Sequence, residues 1–210
     1  EVKALFADPY GDLWIGTHSY GVFYYRPTQN EFKRFVIQSW ATLPANTRGA
    51  ISFAASTVND SIIYAGTASG LQEINRITGK MAWYVFPQAS SDLTTAANAF
   101  RRIYCHDDGL LYAGSWEAGV HVFDPKQKTY IPLPLKEGPG NFIVKSGIRG
   151  LLRKSSNEIW ITTGAGLGIY DTRLKEFTFW KANNLKERKY YGIDFIDERN
   201  RAWFGTINGV

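Results

Sequence analysis

The sequence predicts an all-β fold, a β-propeller of four-stranded antiparallel blades with four complete blades and half of a fifth. Three observations predict it: one short phrase recurs along the chain, each recurrence carries the same order of strands and turns, and no helical period competes. The phrase reads Leu13-Trp14-Ile15-Gly16-Thr17, Ile63-Tyr64-Ala65-Gly66-Thr67, Leu111-Tyr112-Ala113-Gly114-Ser115, Ile159-Trp160-Ile161-Thr162-Thr163 and Ala202-Trp203-Phe204-Gly205-Thr206. Its aromatic anchors return every 43–50 residues or so, roughly the interval of propeller blades or helical arrays. Short runs of alternating β-branched and aromatic residues, bounded by Gly, Asn, Asp or Pro, select the propeller.

The elements follow in order. In the first repeat the strand runs are Val2–Ala7, Leu13–Thr17, 22–25 and 31–37, which supply the four strands of a blade. Three residues before each anchor stand Gly11, Ser61, Gly109, Asn157 and Asn200, mostly types that tolerate the positive φ of a tight hairpin. A second turn follows at Gly21, Gly70, Gly119, Gly166 and Gly209, and a third at Tyr25-Arg26-Pro27, Asn75-Arg76, Asp124-Pro125 and Asp171-Thr172. The repeats occupy approximately 1–47, 48–97, 98–146, 147–189 and a truncated 190–210, and Val2–Ala7, Phe100–Cys105 and Ile148–Arg153 are expected as innermost strands. A seven-bladed ring at this period needs roughly 336 residues, so the chain reads as a piece of a longer ring whose two end blades present uncovered apolar faces. Closure by further repeats or self-association is expected of such faces.

The stretch Asp8-Pro9-Tyr10-Gly11-Asp12-Leu13-Trp14-Ile15-Gly16-Thr17 with Gly21, and the Asp124-Pro125 turn, resemble the two-component regulator propeller repeat. The departures are Tyr for Trp at 64 and 112, Thr162 for Gly, and Ser61 in the first turn. The resemblance implies the periplasmic sensor region of an inner-membrane hybrid two-component histidine kinase/response regulator of the Bacteroidetes type. It also implies an oligosaccharide ligand and an Ig-like transmitter domain that carries the signal to the kinase. On this reading the chain itself binds and does not catalyse.

Composition narrows the partners. The 44% apolar content suffices for a sizeable core, and the net charge of +5 favours acidic ligands modestly. The basic residues are scattered among strands and turns, which argues against nucleic acid as a partner. The lone Cys105 has no partner for an internal disulfide and reads as a small buried hydrophobe. Gly164-Ala165-Gly166-Leu167-Gly168 resembles a dinucleotide loop, but it occupies a hairpin slot with no helix after it, so no cofactor is expected. His18, His106 and His121 lack ligand spacing, so no metal is expected either. Glu117, Asp194 and Glu198 are the carboxylates that a propeller glycosidase or lyase would need to bring together. The other rival, a protein-interaction propeller of the WD type, would show Gly-His and Trp-Asp pairs that this chain lacks.

The anchors Trp14, Tyr64, Tyr112, Trp160 and Trp203 repeat strictly and so read as filling between blades. Non-repeating loop residues are the better ligand candidates. After the second strands come His18-Ser19-Tyr20, Ala68-Ser69, Trp116-Glu117-Ala118 and Gly164-Ala165; between blades come Trp40, Arg48, Asn98 and Lys145; propeller topology puts both sets on one face of the central channel. Counting eleven residues back from each anchor gives Lys3, Phe53, Arg101, Arg149 and Gly192, a partly cationic series at the start of the innermost strands. The expected ligand contacts are therefore Arg101, Arg149, Lys3, Trp116, Glu117, His18, Tyr20 and Arg48, suited to an oligosaccharide bearing carboxylate or sulfate.

Overall fold

The computed structural model describes residues 1–35, 49–86, 98–138, 141, 146–164, 166–180, 190–199 and 201–206. Blade 1 consists of β1 (Val2–Ala7), β2 (Leu13–Thr17), β3 (Val22–Arg26) and β4 (Glu31–Phe35). Blade 2 has β5 (Ala50–Ala55), β6 (Ile62–Thr67), β7 (Gly70–Asn75) and β8 (Met81–Tyr84). Blade 3 has β9 (Phe100–Cys105), β10 (Leu111–Ser115), β11 (Val120–Asp124) and β12 (Thr129–Ile131). Blade 4 has β13 (Ile148–Arg153), β14 (Glu158–Thr163), β15 (Gly166–Asp171) and β16 (Glu176–Trp180), and β17 (Tyr190–Ile196) pairs with β18 (Ala202–Thr206). Every sheet runs antiparallel in sequence order, as expected from the strand and turn grammar. Among the described residues no helix is long and apolar enough to cross a membrane.

The anchor phrase works at the seam between blades. Trp14, Tyr64 and Tyr112 are at most 1% exposed, and each joins a core cluster that spans its own blade and the next. Trp14 packs on Tyr24 and Phe35 of its own sheet and on Phe53 of blade 2, with ring centroids 4.7, 5.7 and 6.4 Å apart. Aromatic area buried in this way is the main apolar contribution to blade stacking. Trp160 is half-buried against Phe204, and Trp203 is 37% exposed, stacked on Phe195. These two anchors are less covered because the neighbouring layer has two strands for Trp160 and none among the described residues for Trp203.

The glycine two places after the anchor has a steric reason. A Cβ on Gly16 would lie 2.4 Å from the Ala50 carbonyl oxygen, one on Gly66 2.5 Å from that of Phe100, and one on Gly114 2.4 Å from the Ile148 side chain. The next blade's innermost strand therefore lies directly on this backbone. Thr162 takes the place in blade 4, fully buried, and among the described residues its Oγ1 has no hydrogen-bond partner.

The first turn is tied to the anchor by a carboxylate. Asp8 accepts backbone N–H bonds from Tyr10 and Asp12 and a third from Trp14 Nε1. Asp108 accepts from Tyr112 Oη at 2.8 Å, and Asp197 from Trp203 Nε1 at 3.0 Å. Blade 2, whose turn contains Ser56 and Asn59 instead, finds another solution: Tyr64 Oη donates to Glu73 at 3.0 Å.

Candidate functional site

The site grows from one irregularity repeated in every blade. Where the innermost strand begins to pair with the second, it carries one residue too many, and the extra residues are Lys3, Ile51, Arg101, Arg149 and Tyr191. A β-bulge of this kind leaves its extra residue out of the ladder and re-aims it. Lys3, Ile51, Arg101 and Arg149 all line cavities at this end of the blades. Counting back from the anchors therefore finds the position in blades 1, 3 and 4 but misplaces it in the other two. The β5–β6 connection is longer, so blade 2 presents Ile51, while Phe53 packs against Phe6 and Trp14 in the seam. A second irregularity between Ile193 and Phe195 moves the position from Gly192 to Tyr191 in the last sheet.

The second layer comes from the loop after each second strand, at His18, Ala68, Trp116 and Gly164. Two contacts fix it. His18 N donates to Glu1 O at 2.9 Å, and Trp116 N donates to Ala99 O at 3.1 Å. The chain entering the next blade crosses directly over these loops, since a Cβ on Gly49 would meet His18 O at 2.4 Å and one on Gly147 would meet Trp116 O at 2.2 Å. Each blade thus contributes one bulge residue and one loop residue to the mouth.

Two cavities lie among them and share Arg101 and Trp116. One, about 290 Å³, sits between blades 3 and 4 and is lined by Arg101, Trp116, Ser146, Gly147, Ile148, Arg149 and Gly164. The other, about 330 Å³, reaches from blade 1 to blade 3 and is lined by Lys3, His18, Gly49, Ile51, Ala68, Ala99, Arg101 and Trp116. The Arg101 guanidinium stands 3.7 Å from the centroid of Trp116, so one face of that indole is already covered. Arg149 lies against the backbone at Gly164, where a Cβ would come within 3.4 Å of its Nε and Nη2. Burial, followed by the neighbouring charges of Arg102 and Arg149, holds the pKa of Arg101 below its ordinary value. Among the described residues no carboxylate pairs with Arg101.

The structure therefore brings together Lys3, His18, Arg101, Trp116 and Arg149 of the expected set. Lys3 also meets Glu1 at 2.9 Å, an exposed pair. Glu117 is exposed beside Trp116 but lines neither cavity, and Tyr20 is exposed under Arg34, outside both. Arg48, Trp40 and Lys145 lie outside the described residues. Asn98 is fully buried and its Oδ1 accepts the Phe86 N–H at 2.9 Å, which makes it a structural residue and not a loop contact. Glu198 belongs to the β17–β18 turn, at the opposite end of its blade from Glu117, so these two carboxylates do not converge. His106 and His121 are buried in the blades, and among the described residues no group of three His, Cys, Asp or Glu is placed to hold a metal ion.

Ile51 is a mouth residue that the sequence did not reveal, and Ala68 and Gly164, expected in the loops of this face, line the cavities although their residue types did not mark them as contacts. Their signal is positional: they occupy the slots of Arg101 and Trp116 in neighbouring blades.

The sequence pattern of the family described as two component regulator propeller matches residues 1–19, in agreement with the resemblance read from the repeats. No curated protein matches the chain. Among solved structures, the extracellular domain of the hybrid two component system BT3049 from B. thetaiotaomicron aligns over 98% of this chain and 25% of its own, with a TM-score of 0.70 and 21% identity. The extracellular domain of the one component system BT4673 from the same organism aligns over the same shares, with a TM-score of 0.71 and 15% identity. The WD40 repeats of RRP9 align over 86% of this chain and 51% of their own, with a TM-score of 0.62 and 12% identity. The chain spans about a quarter of the length of the two extracellular domains. At these identities the likeness is one of fold: a propeller.

Proposed function

We propose that this chain is part of the extracytoplasmic sensing region of a two-component regulator, and that an oligosaccharide binds at the mouth formed by the bulge and loop residues. The family match over residues 1–19 and the fold shared with extracellular domains of such systems support the sensory reading. The observation that carries the binding reading is the pair of adjoining cavities that meet at Arg101 and Trp116. Their lining mixes apolar surface with a few directed polar groups, which is what a saccharide with C–H faces and hydroxyls requires.

In this reading the ligand changes the relative position of sensor domains, and an Ig-like domain of the same protein passes the change to a histidine kinase. The rigid blades hold the contacts in place and the bound sugar is left chemically unaltered. Calorimetry with a panel of neutral and acidic oligosaccharides on the intact chain tests it. Micromolar to millimolar binding of at least one, weakened by Trp116→Ala, is expected. Failure of every saccharide to bind, or binding untouched by Trp116→Ala, would reject the mouth as the site.

A further inference from the structure

The two arginines at the mouth stand in different settings. The Arg101 guanidinium carbon stands over the Trp116 ring, 3.7 Å from its centroid, and its N–H donors are supplied to the cavity that both residues line. Arg149 lies over Gly164, where a Cβ would be in contact with its Nε and Nη2 at 3.4 Å. Both are bulge residues, turned out of the β ladder toward the same cavity of about 290 Å³. Like charges sharing a partly buried pocket repel, and the effective dielectric there is below that of water. Among the described residues no carboxylate pairs with Arg101, and the charges of Arg102 and Arg149 act on it.

We propose that the cavity between blades 3 and 4 is an oxyanion subsite, in which Arg101 and Arg149 together take a carboxylate or sulfate group carried on one sugar of the oligosaccharide. The assignment rests on the saccharide reading of the mouth. Guanidinium forks match the planar geometry of a carboxylate and the tetrahedral oxygens of a sulfate. The cavity is near the lower end of ligand-pocket sizes, roughly 300 Å³, which fits a single sugar unit. The adjoining cavity of about 330 Å³ has Ile51, Ala68 and Ala99 in its wall and suits the less polar face of the next unit. The charged unit would thus bind between blades 3 and 4, and the chain of sugars would run toward blade 1. Gly164 is the specificity-determining position: a Cβ there would already touch the Arg149 Nε and Nη2 at 3.4 Å, so a branched side chain that extends past Cβ competes with the guanidinium for the same space.

The test uses three probes on the intact chain: inorganic sulfate, glucuronate and glucose. Binding is followed by NMR of arginine Nε–H groups and by Trp fluorescence. Sulfate and glucuronate are expected to give saturable shifts in the millimolar range, with glucuronate at least about tenfold tighter than glucose and weakened by salt. Gly164→Val and Arg149→Gln should each remove that preference, Arg101→Lys should retain part of it, and Arg153→Gln, an exposed residue paired with Asp107, should leave it intact. A response confined to sulfate distinguishes an ester-sulfate ligand from a uronate, and one confined to glucuronate the reverse; either supports the subsite. Non-saturating shifts with both anions, equal affinity for glucuronate and glucose together with no saturable sulfate response, or an anion preference that survives Gly164→Val and Arg149→Gln would overturn it. Those results leave the mouth as a neutral-sugar site if the oligosaccharide panel binds in a Trp116-dependent way. Absence of binding across that panel is instead the failure of the saccharide reading itself.

Discussion

The carboxylate of Asp8 accepts a hydrogen bond from the indole Nε1 of Trp14 at 2.9 Å, joining the first turn of blade 1 to the ring that fills the seam with blade 2. Asp197 and Trp203 repeat the arrangement, whereas in blade 3 that turn position is His106 and the Tyr112 phenol donates instead to Asp108, two residues further along the turn. The turn and the interblade core are therefore one unit.

Asp8→Ala is expected to lower stability by about 1–3 kcal/mol, because it leaves the buried Trp14 N–H and two turn N–H groups without their acceptor. Urea unfolding measures the loss. Asp8→Asn should recover part of it, since the amide oxygen still accepts.

Gly16→Ala is expected to cost about 1–3 kcal/mol by overpacking, as the new methyl would lie 2.4 Å from the Ala50 carbonyl oxygen. The obstacle is backbone, which cannot rotate away. A thermal midpoint equal to that of the parent would show that the two blades separate more easily than their packing indicates.

His121 imposes a pH dependence. Burial against Phe86 and Phe100 lowers its pKa to about 4, while in the unfolded chain it titrates near its ordinary value of 6.5. Between these values the unfolded state binds the extra proton, so stability is full above about pH 6.5 and falls as pH drops toward 4. The contribution over that window is on the order of 3 kcal/mol. Unfolding free energies measured from pH 7.5 to 4 should flatten in His121→Gln, and an unchanged slope would assign the dependence to other groups.

Leu5 and Phe32 are each 66% exposed on blade 1, and Phe195 and Trp203 are stacked and open in the last sheet. Apolar rings and branched chains of this kind on blade faces favour covering by another blade or a second copy. Light scattering is expected to show concentration-dependent association that Leu5→Lys with Phe195→Lys reduces. A parent chain that stays monomeric at high concentration would contradict it.

Strand order, blade count and the burial of Trp14, Tyr64 and Tyr112 were determined by the sequence alone, because each depends on short-range periodicity and on turn residues beside the strands they connect. Lys3, Arg101 and Arg149 were found as a series for the same reason: their blades share one hairpin length. Only the tertiary structure decided that Ile51 and Tyr191 complete that series in place of Phe53 and Gly192, since a longer connection and an added bulge shift the register without changing the local pattern. It also decided that Arg101 covers one face of Trp116, that Arg149 lies over Gly164, and that Glu117 and Tyr20 stay outside the cavities. Those outcomes depend on how a bulge turns a side chain and on which neighbouring blade leaves room for it, and such distances between blades are set by packing rather than by residue order.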